Sequence, residues 1–210
     1  MRAWLACEVY LDDYVDAMNA PFDPLNFESA LDFTNAALGF LARGVKDRRS
    51  ALHIIGLGST GLDGTPQLRN VVLRGLDVSN LTLTFHTDKR AAKFAELVKN
   101  PQAAVLAYDP GAKLQIRLSG VVRLHNADQL AAKTWGSMQA TSQACYFTPT
   151  PPGTSVKSAA LLSEAEAMAQ FTVCIFDIIK LDILYLLASG HKRTISTCTA
   201  GSITAEWVAP

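Results

Sequence analysis

Short stretches of the chain alternate between apolar and polar residues, which is the pattern of a β-strand with one buried face. The alternation is clearest in residues 80–87 and 113–124. The inward-facing positions that it predicts are Leu81, Leu83, Phe85, Leu114, Ile116 and Leu118. Both stretches therefore predict strands that cover a core on one side and present polar side chains on the other.

Further strands are predicted where apolar or β-branched runs lie between turn residues. They span residues 52–57, 67–74, 102–108, 171–187, 191–198 and 203–208. The run at 102–108 indicates a buried strand, and Asp63-Gly64 is a strong hairpin signal between the first two strands. Consecutive strands with few inserted helices predict one antiparallel barrel rather than a parallel sheet.

Helices are predicted at the start of this barrel and in its longer connections. Residues 27–44 form an amphipathic pattern, with Asn26 or Ser29 as the N-cap. Residues 128–138 and 163–170 predict two shorter helices. The chain is therefore expected to be a single domain, with a helical segment over about residues 1–45 and the barrel over about residues 50–210.

The overall composition excludes several classes of protein. The 210 residues carry 19 basic and 19 acidic side chains, so the formal net charge is zero, and 49% of the residues are hydrophobic. This composition supports a folded core and disfavours nucleic acid as the main partner. No apolar run reaches the ~20 residues of a membrane helix. Early acidic residues argue against a secretory signal, so a cytoplasmic protein without membrane association is expected.

The four cysteines are scattered through the chain, and no pair has the spacing of a zinc site. We expect Cys7, Cys145, Cys174 and Cys198 to be buried, reduced thiols. The four histidines also lack the spacing of metal ligands, so no metal site is predicted. Glycine-rich nucleotide-binding motifs and a nucleophile elbow are absent from the sequence.

Cationic side chains occur where a strand or a helix start would not favour them. Arg69 and Arg74 lie within the apolar strand at 67–74, and a guanidinium there needs an anionic partner or water. Alternation places the two on opposite faces of that strand unless a bulge intervenes. A salt bridge or an exposed strand edge would account for either arginine alone.

A second cationic segment follows the strand at 80–87. Asp88 is predicted to cap a helix through Val98, with Ala91, Phe94, Ala95 and Val98 as its inner stripe. Three cations occupy its first turns, namely Lys89, Arg90 and Lys93, although the helix dipole favours an anion there. A bound phosphate would resolve this conflict, and a solvated charged face is the alternative.

Two further polar segments could contact a ligand. Gln115 lies on the polar face of its strand, and its amide can both donate to and accept from a planar ring edge. His191-Lys192-Arg193 follows a Ser-Gly turn and could stabilise electron density on a reduced cofactor. Exposed polar positions would explain both segments equally well.

Taken in order, these segments resemble the pyridoxamine 5'-phosphate oxidase-like family of FMN-binding split barrels. The segments that carry the resemblance are Arg69-Asn70-Val71-Val72-Leu73-Arg74, His86-Thr87-Asp88, Arg90-Ala91-Ala92-Lys93, Gln115-Ile116-Arg117-Leu118-Ser119-Gly120, Ser142-Gln143, and the tail from His191-Lys192-Arg193 to Trp207-Val208-Ala209-Pro210. The resemblance implies a mainly β (α+β) fold, a six-stranded antiparallel split β-barrel with flanking helices. It also implies a homodimer with FMN at the interface.

The resemblance also assigns roles to particular residues. Arg69, Arg90 and Lys93 would hold the FMN phosphate, together with the region of His86 and Thr87. The backbone of Asn70, Val71, Val72 and Leu73 would line the flavin ring, with Arg74 at the end of that strand. Gln115 would contact the cofactor, and Arg193 would approach the ring, from either the same or the second subunit.

The substrate pocket departs from the family pattern. The family's oxidases have Lys where Arg74 stands, and a Tyr and an Arg near Thr134 and Met138. Only Ser142 remains of the group that grips the substrate phosphate, so the pocket would retain Arg74, Ser142 and His191. An FMN-dependent oxidoreductase with an unknown substrate is therefore predicted, with no catalytic residue assigned.

Three other functions remain open from the sequence. The chain could be a non-catalytic flavin-binding or sensing module, because the cofactor residues are retained while the substrate residues are altered. It could also be an authentic pyridoxamine phosphate oxidase with a rearranged pocket. An oligonucleotide-binding barrel is disfavoured by the neutral charge and by the few aromatic residues on polar strand faces.

Overall fold

The computed structural model describes residues 27–156, 161–188, 190–199 and 202–210. Five helices lie in these ranges: α1 (Ala30–Lys46), α2 (Ala92–Lys99), α3 (Gln129–Ser137), α4 (Ala140–Gln143) and α5 (Glu164–Gln170). Nine strands accompany them: β1 (Ile54–Thr60), β2 (Pro66–Val72), β3 (Gly75–Asp77), β4 (Thr82–Asp88), β5 (Gln102–Asp109), β6 (Leu114–Asn126), β7 (Phe171–Tyr185), β8 (Lys192–Thr199) and β9 (Ser202–Val208). The predicted N-terminal segment up to residue 26, including Asn26 and Cys7, lies outside the described residues.

All strand pairings in the described residues are antiparallel, and the strand order is β2-β1-β5-β6-β7-β4-β3. The β8–β9 hairpin branches from the second half of β7. β2 runs into β3 through Leu73 and Arg74 without pairing with it, so the two ends of this strand order adjoin along the chain. The sheet therefore curls into an open barrel, which confirms the predicted split-barrel fold class.

The barrel wraps around one main core. β1, β2, β4, β5, β6 and β7 all contribute buried apolar residues to it, so six strands form the wall and β3, β8 and β9 extend the sheet. Helix α1 inserts Phe33, Leu38 and Leu41, all fully buried, into the same core. Ser29 caps this helix by accepting hydrogen bonds from the first-turn backbone, as predicted. The N-terminal helix is thus part of the barrel's core rather than an appendage.

A second, smaller cluster lies on the other side of β7. Its aromatic members are Trp135 from α3, Tyr146 and Phe171, whose rings lie 5.3–5.8 Å apart centre to centre. This cluster fixes α3 and the loop after α4 against the sheet. The capping residues Asp128 and Ser163 hold α3 and α5 at the predicted positions.

Long strands bend at one defined point. The β6–β7 register shifts between Ser119 and Gly120, so that Ser119 pairs with Lys180 while Gly120 pairs with Ile178. A Cβ atom at Gly120 would lie 2.0 Å from the backbone oxygen of Asp177. Only glycine allows this close approach of the two strands, and the bend in β7 is located here.

Three predictions about burial were wrong. β5 is not buried throughout, because Leu106 and Tyr108 are 42% and 43% exposed on its outer face. The thiol of Cys145 is exposed and that of Cys198 is half-buried, whereas Cys174 is fully buried; all three are free. A run of small and apolar residues does not distinguish a strand covered on both faces from one whose outer face is open.

Helix α2 differs most from its prediction. Ala91, not Asp88, occupies the N-cap position, and the helix begins at Ala92. The predicted inner stripe is also wrong, since Val98 is 63% exposed while Glu96 and Leu97 are buried. Lys89 and Arg90 therefore precede the helix, and only Lys93 lies in its first turn.

Candidate functional site

Arg69 lies on the inner face of β2 and is held by two polar groups. It pairs in register with the buried Leu57 of β1, so its side chain follows the core face of the strand. Its Nη2 donates to Oε2 of Glu96 at 2.7 Å, and its Nη1 donates to the hydroxyl of Ser59. Glu96 is 5% exposed, which explains why a glutamate faces inward from α2: it neutralises a guanidinium inside the sheet.

Lys93 lies one helical turn before Glu96 and faces the same region. Its Nζ donates to Oγ1 of Thr87 at 3.2 Å. Burial lowers the pKa of the Lys93 ammonium, and the positive charge of Arg69 lowers it further. The structure thus brings Arg69, Thr87 and Lys93 together, and we call these three residues the cation cluster.

The cation cluster has the properties of an anion site. It holds two cationic groups that repel each other, and the carboxylates whose charges act on Lys93 are those of Asp88 and Glu96. A desolvated ammonium next to a guanidinium is costly unless an anion approaches. Thr87 adds a hydroxyl next to Lys93, so a phosphate group fits both the charge and the donors present.

Arg90 is engaged elsewhere. Its Nε and Nη2 donate to the two carboxylate oxygens of Asp88 at 3.0 and 2.6 Å. Its Nη1 reaches the backbone oxygens of Thr148 and Pro149 at 2.9 and 3.3 Å. Arg90 therefore ties the end of β4 to the Pro-rich loop in this structure, and it is not brought into the cation cluster.

A cleft opens beside the corner where β2 passes into β3. It has two adjoining lobes of about 540 and 460 Å³. Arg74, His86, Ser142 and Met138 line both lobes, and Arg48 enters from the segment after α1. The structure thus brings the predicted pocket residues Arg74 and Ser142 together. His191 lies elsewhere, just before β8, where its Nδ1 accepts a hydrogen bond from the backbone N–H of Leu187.

His86 is one of the two imidazoles that line this cleft, and the other is that of His53. The ring of His86 packs edge-on against Phe171 at 4.9 Å, and its Nδ1 is buried without a hydrogen-bond partner among the described residues. Burial lowers the pKa of His86 to about 4, with a smaller contribution from the charge of Arg74. The imidazole is therefore neutral at physiological pH and adjoins the cleft rather than the cation cluster.

Gln115 and Arg193 lie on a different surface, the outer face of β6, β7 and β8. Asp182 of β7 accepts from Nε and Nη2 of Arg193 at 2.9 and 2.8 Å and also pairs with Arg117. These bonds lower the pKa of Asp182, with the hydrogen bond from Arg193 as the largest cause. Arg193 is thus held in a fixed orientation on an open sheet face.

The strand residues predicted to line a ring divide between the two faces of β2. Asn70 and Val72 lie on the outer face, Asn70 in register with Gly56, while Val71 and Leu73 are buried in the core. Only backbone groups and the outward side chains of this segment can therefore meet a ligand.

Sequence reasoning missed Glu96, Asp182 and Arg48. Glu96 follows Lys93 by three residues, and an arginine in the apolar β2 required a carboxylate, so this pair could have been anticipated. Asp182 interrupts an apolar strand in the same way. Arg48 belongs to a charged stretch after α1 that carries no local signal, and only the fold places it at the cleft.

Comparisons with known proteins bear on this geometry. Residues 40–126 match the family model described as pyridoxamine 5'-phosphate oxidase, FMN-binding domain. The pyridoxine/pyridoxamine 5'-phosphate oxidase of Cupriavidus metallidurans is 38% identical over 66 residues, 31% of this chain and 30% of the relative. That of Pseudomonas paraeruginosa is 29% identical over 123 residues, 57% of this chain and 52% of the relative. The matched regions thus span about a third to a half of these relatives' lengths.

Solved structures show the same fold. A pyridoxamine 5'-phosphate oxidase-related, FMN binding protein from Nostoc punctiforme aligns with a TM-score of 0.68 at 19% identity, covering 91% of this chain and all of that one. PhzG from Burkholderia lata, in complex with tetrahydrophenazine-1-carboxylic acid, aligns with a TM-score of 0.61 at 16% identity, covering 91% and 98%. No helix in the described ranges is long and apolar enough to cross a membrane. The comparisons confirm the family resemblance and the split-barrel fold.

Proposed function

Because this chain has the fold and the matching region of the pyridoxamine 5'-phosphate oxidase-like FMN-binding family, we propose that it binds FMN and acts as an FMN-dependent oxidoreductase. The observation that carries the proposal is the cation cluster. Arg69 from β2 and Lys93 from α2 are far apart in sequence, yet they face the same site beside Thr87. The desolvated ammonium of Lys93 beside the Arg69 guanidinium calls for an anion, and the phosphate of FMN would supply one.

The cation cluster can account for substantial affinity. Hydrogen bonds to charged groups contribute ~1.5–3 kcal/mol each, so two cationic contacts would supply roughly 3–6 kcal/mol before other contacts are counted. Glu96 holds the Arg69 guanidinium in place from one side and leaves its remaining donors for the phosphate. Arg90 supports the site indirectly, by fixing the turn between β4 and α2.

The active form is proposed to be a homodimer with FMN at the interface. Ile54, Leu68, Leu106 and Tyr108 form an apolar patch on the outer face of β1, β2 and β5, and each is 42–75% exposed. Gly56 lies between the side chains of Leu68 and Leu106 and leaves a shallow depression there. Apolar residues exposed together on a sheet face are typical of a protein interface.

Dimerisation would also explain the separation of the predicted cofactor residues. Gln115 and Arg193 lie on the outer sheet face, away from the core-facing side of β2 that carries Arg69. In a dimer formed through the outer face of the sheet, each protomer would contribute its Gln115 and Arg193 to the FMN that the cation cluster of its partner holds. Two incomplete halves would thereby form two complete sites.

When bound, FMN would supply the capacity to accept a hydride or two electrons from a substrate. The chain's own residues would position the flavin and the substrate and would stabilise the charge on the flavin. Asp182 orients Arg193 so that its charge can face the flavin, and Arg74 and Ser142 line the cleft that would hold the substrate. No general base is assigned.

One observation favours a non-catalytic flavin-binding or sensing module as the second candidate. The described residues that line the cleft include no carboxylate, and the imidazole of His86 is neutral. The cleft therefore offers no carboxylate for proton transfer, and its second imidazole, that of His53, is held at Nδ1 by the backbone oxygen of Gly44. A hydride acceptor alone can still oxidise a substrate, so this observation does not remove the enzymatic proposal.

The test of the proposed function is the visible absorption spectrum of the purified protein. We expect a yellow protein that releases FMN on denaturation. Anaerobic addition of NADH, NADPH, amines and alcohols should bleach the flavin band with at least one of them. A protein that holds FMN but is never reduced would favour the binding module, and a colourless protein that fails to take up added FMN would contradict both candidates.

A further inference from the structure

The imidazole of His53 lines the larger lobe of the cleft, and the fold fixes its orientation. Its Nδ1 lies 2.7 Å from the backbone oxygen of Gly44, in the last turn of α1. A carbonyl oxygen can only accept a hydrogen bond, so Nδ1 must carry the proton of this bond. In the neutral imidazole, Nε2 therefore holds an unprotonated lone pair.

The bond to Gly44 accounts for only one of the two ring nitrogens of His53. Capping the carbonyl end of α1 is a sufficient structural reason for the contact at Nδ1. Within the described part of the chain, Nε2 forms no hydrogen bond, and the side chain is half-buried. Unlike Nδ1 of His86, this nitrogen is not sealed from solvent. The lone pair on Nε2 is therefore available to a molecule in the cleft.

Two backbone contacts place His53 beside the segment that the family resemblance assigns to the flavin ring. Its backbone oxygen accepts a hydrogen bond from the N–H of Leu73 at 2.9 Å, one residue before Arg74. On the other side, α1 comes so close that a Cβ atom at Gly44 would lie 2.5 Å from the backbone oxygen of Leu52. His53 is thus held between α1 and the end of β2, and a substrate in the larger lobe would lie near both Nε2 and the proposed ring site.

Several other groups of the cleft are less suited to accept a proton. No Asp or Glu among the described residues lines either lobe. Burial lowers the pKa of His86 to about 4, so that imidazole holds a proton too weakly at neutral pH. Burial raises the pKa of Tyr146 in the smaller lobe, so its phenol keeps its proton. His53 combines an accessible position with a free lone pair.

We propose that His53 is a catalytic base, whose Nε2 accepts the proton that a substrate loses while it reduces the flavin. A substrate group H–C–O–H or H–C–N–H gives its C–H hydrogen, with the electron pair, to the flavin. Its O–H or N–H bond breaks, the proton goes to Nε2, and the electron pair of that bond forms the C=O or C=N double bond. The substrate is oxidised by two electrons and the flavin is reduced by two. The inference deepens the proposed function and rests on it, because FMN is the hydride acceptor.

The first test needs neither FMN nor a substrate. Long-range proton–nitrogen NMR of protein with isotope-labelled histidine distinguishes the two neutral tautomers of an imidazole, and His53→Gln assigns the signals. We expect the neutral ring of His53 to carry its proton on Nδ1. A neutral ring with its proton on Nε2 would overturn the proposal, because that nitrogen could not accept another one.

The second test is the rate at which the flavin band bleaches after anaerobic mixing of the FMN-loaded protein with a reductant. Benzyl alcohol, benzylamine, pyridoxine 5'-phosphate and pyridoxamine 5'-phosphate must each lose an O–H or N–H proton, whereas NADH transfers a hydride alone. We expect at least one of these four to bleach the band, and His53→Gln should slow this reaction about a hundredfold or more. Any reduction by NADH should be as fast in the variant as in the native protein.

Two further variants separate a base from a structural role. His125→Gln removes an imidazole that pairs with Asp128 outside the cleft, and it should leave every rate unchanged. His53→Ala should be slowed like His53→Gln, and imidazole added to the solution should restore part of its rate, which a purely structural loss would not show. FMN affinity should be the same in all three variants, because neither histidine belongs to the cation cluster.

Failure of the inference and failure of the proposed function give different results. A protein that takes up no FMN would contradict the proposed function and the catalytic base together. FMN binding with equal rates of reduction in the native protein and His53→Gln would overturn the base alone. A bound flavin that only NADH reduces, or that none of the five compounds reduces, would also overturn the base and leave FMN binding intact.

Discussion

Replacing His86 by phenylalanine should make the folded protein less sensitive to mild acid. The variant keeps an aromatic ring against Phe171 but removes the only titratable atoms at that position. In the native protein, burial holds the imidazole neutral and lowers the pKa of His86 to about 4. The unfolded chain binds this proton near pH 6.5, so protonation favours unfolding between these two values.

The magnitude follows from the two pKa values. Well above pH 6.5 the imidazole is neutral in both the folded and the unfolded state, and His86 contributes almost nothing to the pH dependence. As the pH falls from 6.5 towards 4, only the unfolded state gains the proton, and stability decreases. At pH 5 the loss amounts to ~2 kcal/mol, and it levels off near ~3 kcal/mol once the folded state is protonated as well.

The assay is urea unfolding of the native protein and His86→Phe at pH 7 and pH 5, followed by circular dichroism. The native protein should lose about 2 kcal/mol more than the variant between these two pH values. Equal losses in the native protein and His86→Phe would refute the burial argument for this histidine.

Two further predictions concern the stability of the barrel. Gly120→Ala should destabilise the fold by roughly 3 kcal/mol, because its Cβ would meet the backbone of Asp177. Gly136→Ala is the control, since its Cβ meets nothing within 4 Å, and it should raise the free energy of unfolding by about 0.5 kcal/mol. Urea unfolding measures both changes. Glu96→Gln keeps the shape of the side chain but removes the charge that neutralises Arg69, and should lower the free energy of unfolding by roughly 1–3 kcal/mol. A Gly120→Ala variant as stable as Gly136→Ala, or a Glu96→Gln variant as stable as the native protein, would contradict these interpretations.

The fold was predictable where burial alone determines the pattern. In β4, Leu83 and Phe85 alternate with polar residues and are fully buried, and Leu114 and Ile116 do the same in β6. The Asp63-Gly64 turn forms the expected β1–β2 hairpin, with Gly64 at a positive φ of 86°. These features depend on local periodicity and on turn geometry, which the sequence encodes directly.

The errors arose where a distant partner determines the local structure. Glu96 faces inward because Arg69 lies opposite, and this pairing reversed the expected stripe of α2 and left Val98 exposed. The outer face of β5 is open although its residues resemble those of a buried strand, because nothing in the described chain covers Leu106 and Tyr108. Neither effect is visible in a local window of sequence.

The sequence identified the cationic residues of the candidate site, but it did not predict how they are arranged. Arg69 and Lys93 converge beside Thr87, although their roles in FMN binding remain a proposal. Arg90 forms an ion pair with Asp88, which is only two residues away, and its side chain is therefore not part of the cation cluster. Arg48 lies at the cleft because α1, which it follows, packs against β3, and the fold as a whole sets this placement.

The most direct measurement of the central claim is a titration of FMN into the protein, followed by quenching of flavin fluorescence. Lys93→Met and Lys99→Met form a matched pair on α2, since Lys99 lies outside the cation cluster and donates to the backbone oxygen of Leu62. The account predicts saturable binding of one FMN per chain, weakened at least about tenfold in Lys93→Met and unchanged in Lys99→Met. Absence of binding to the native protein, or equal affinity of the two variants, would contradict it.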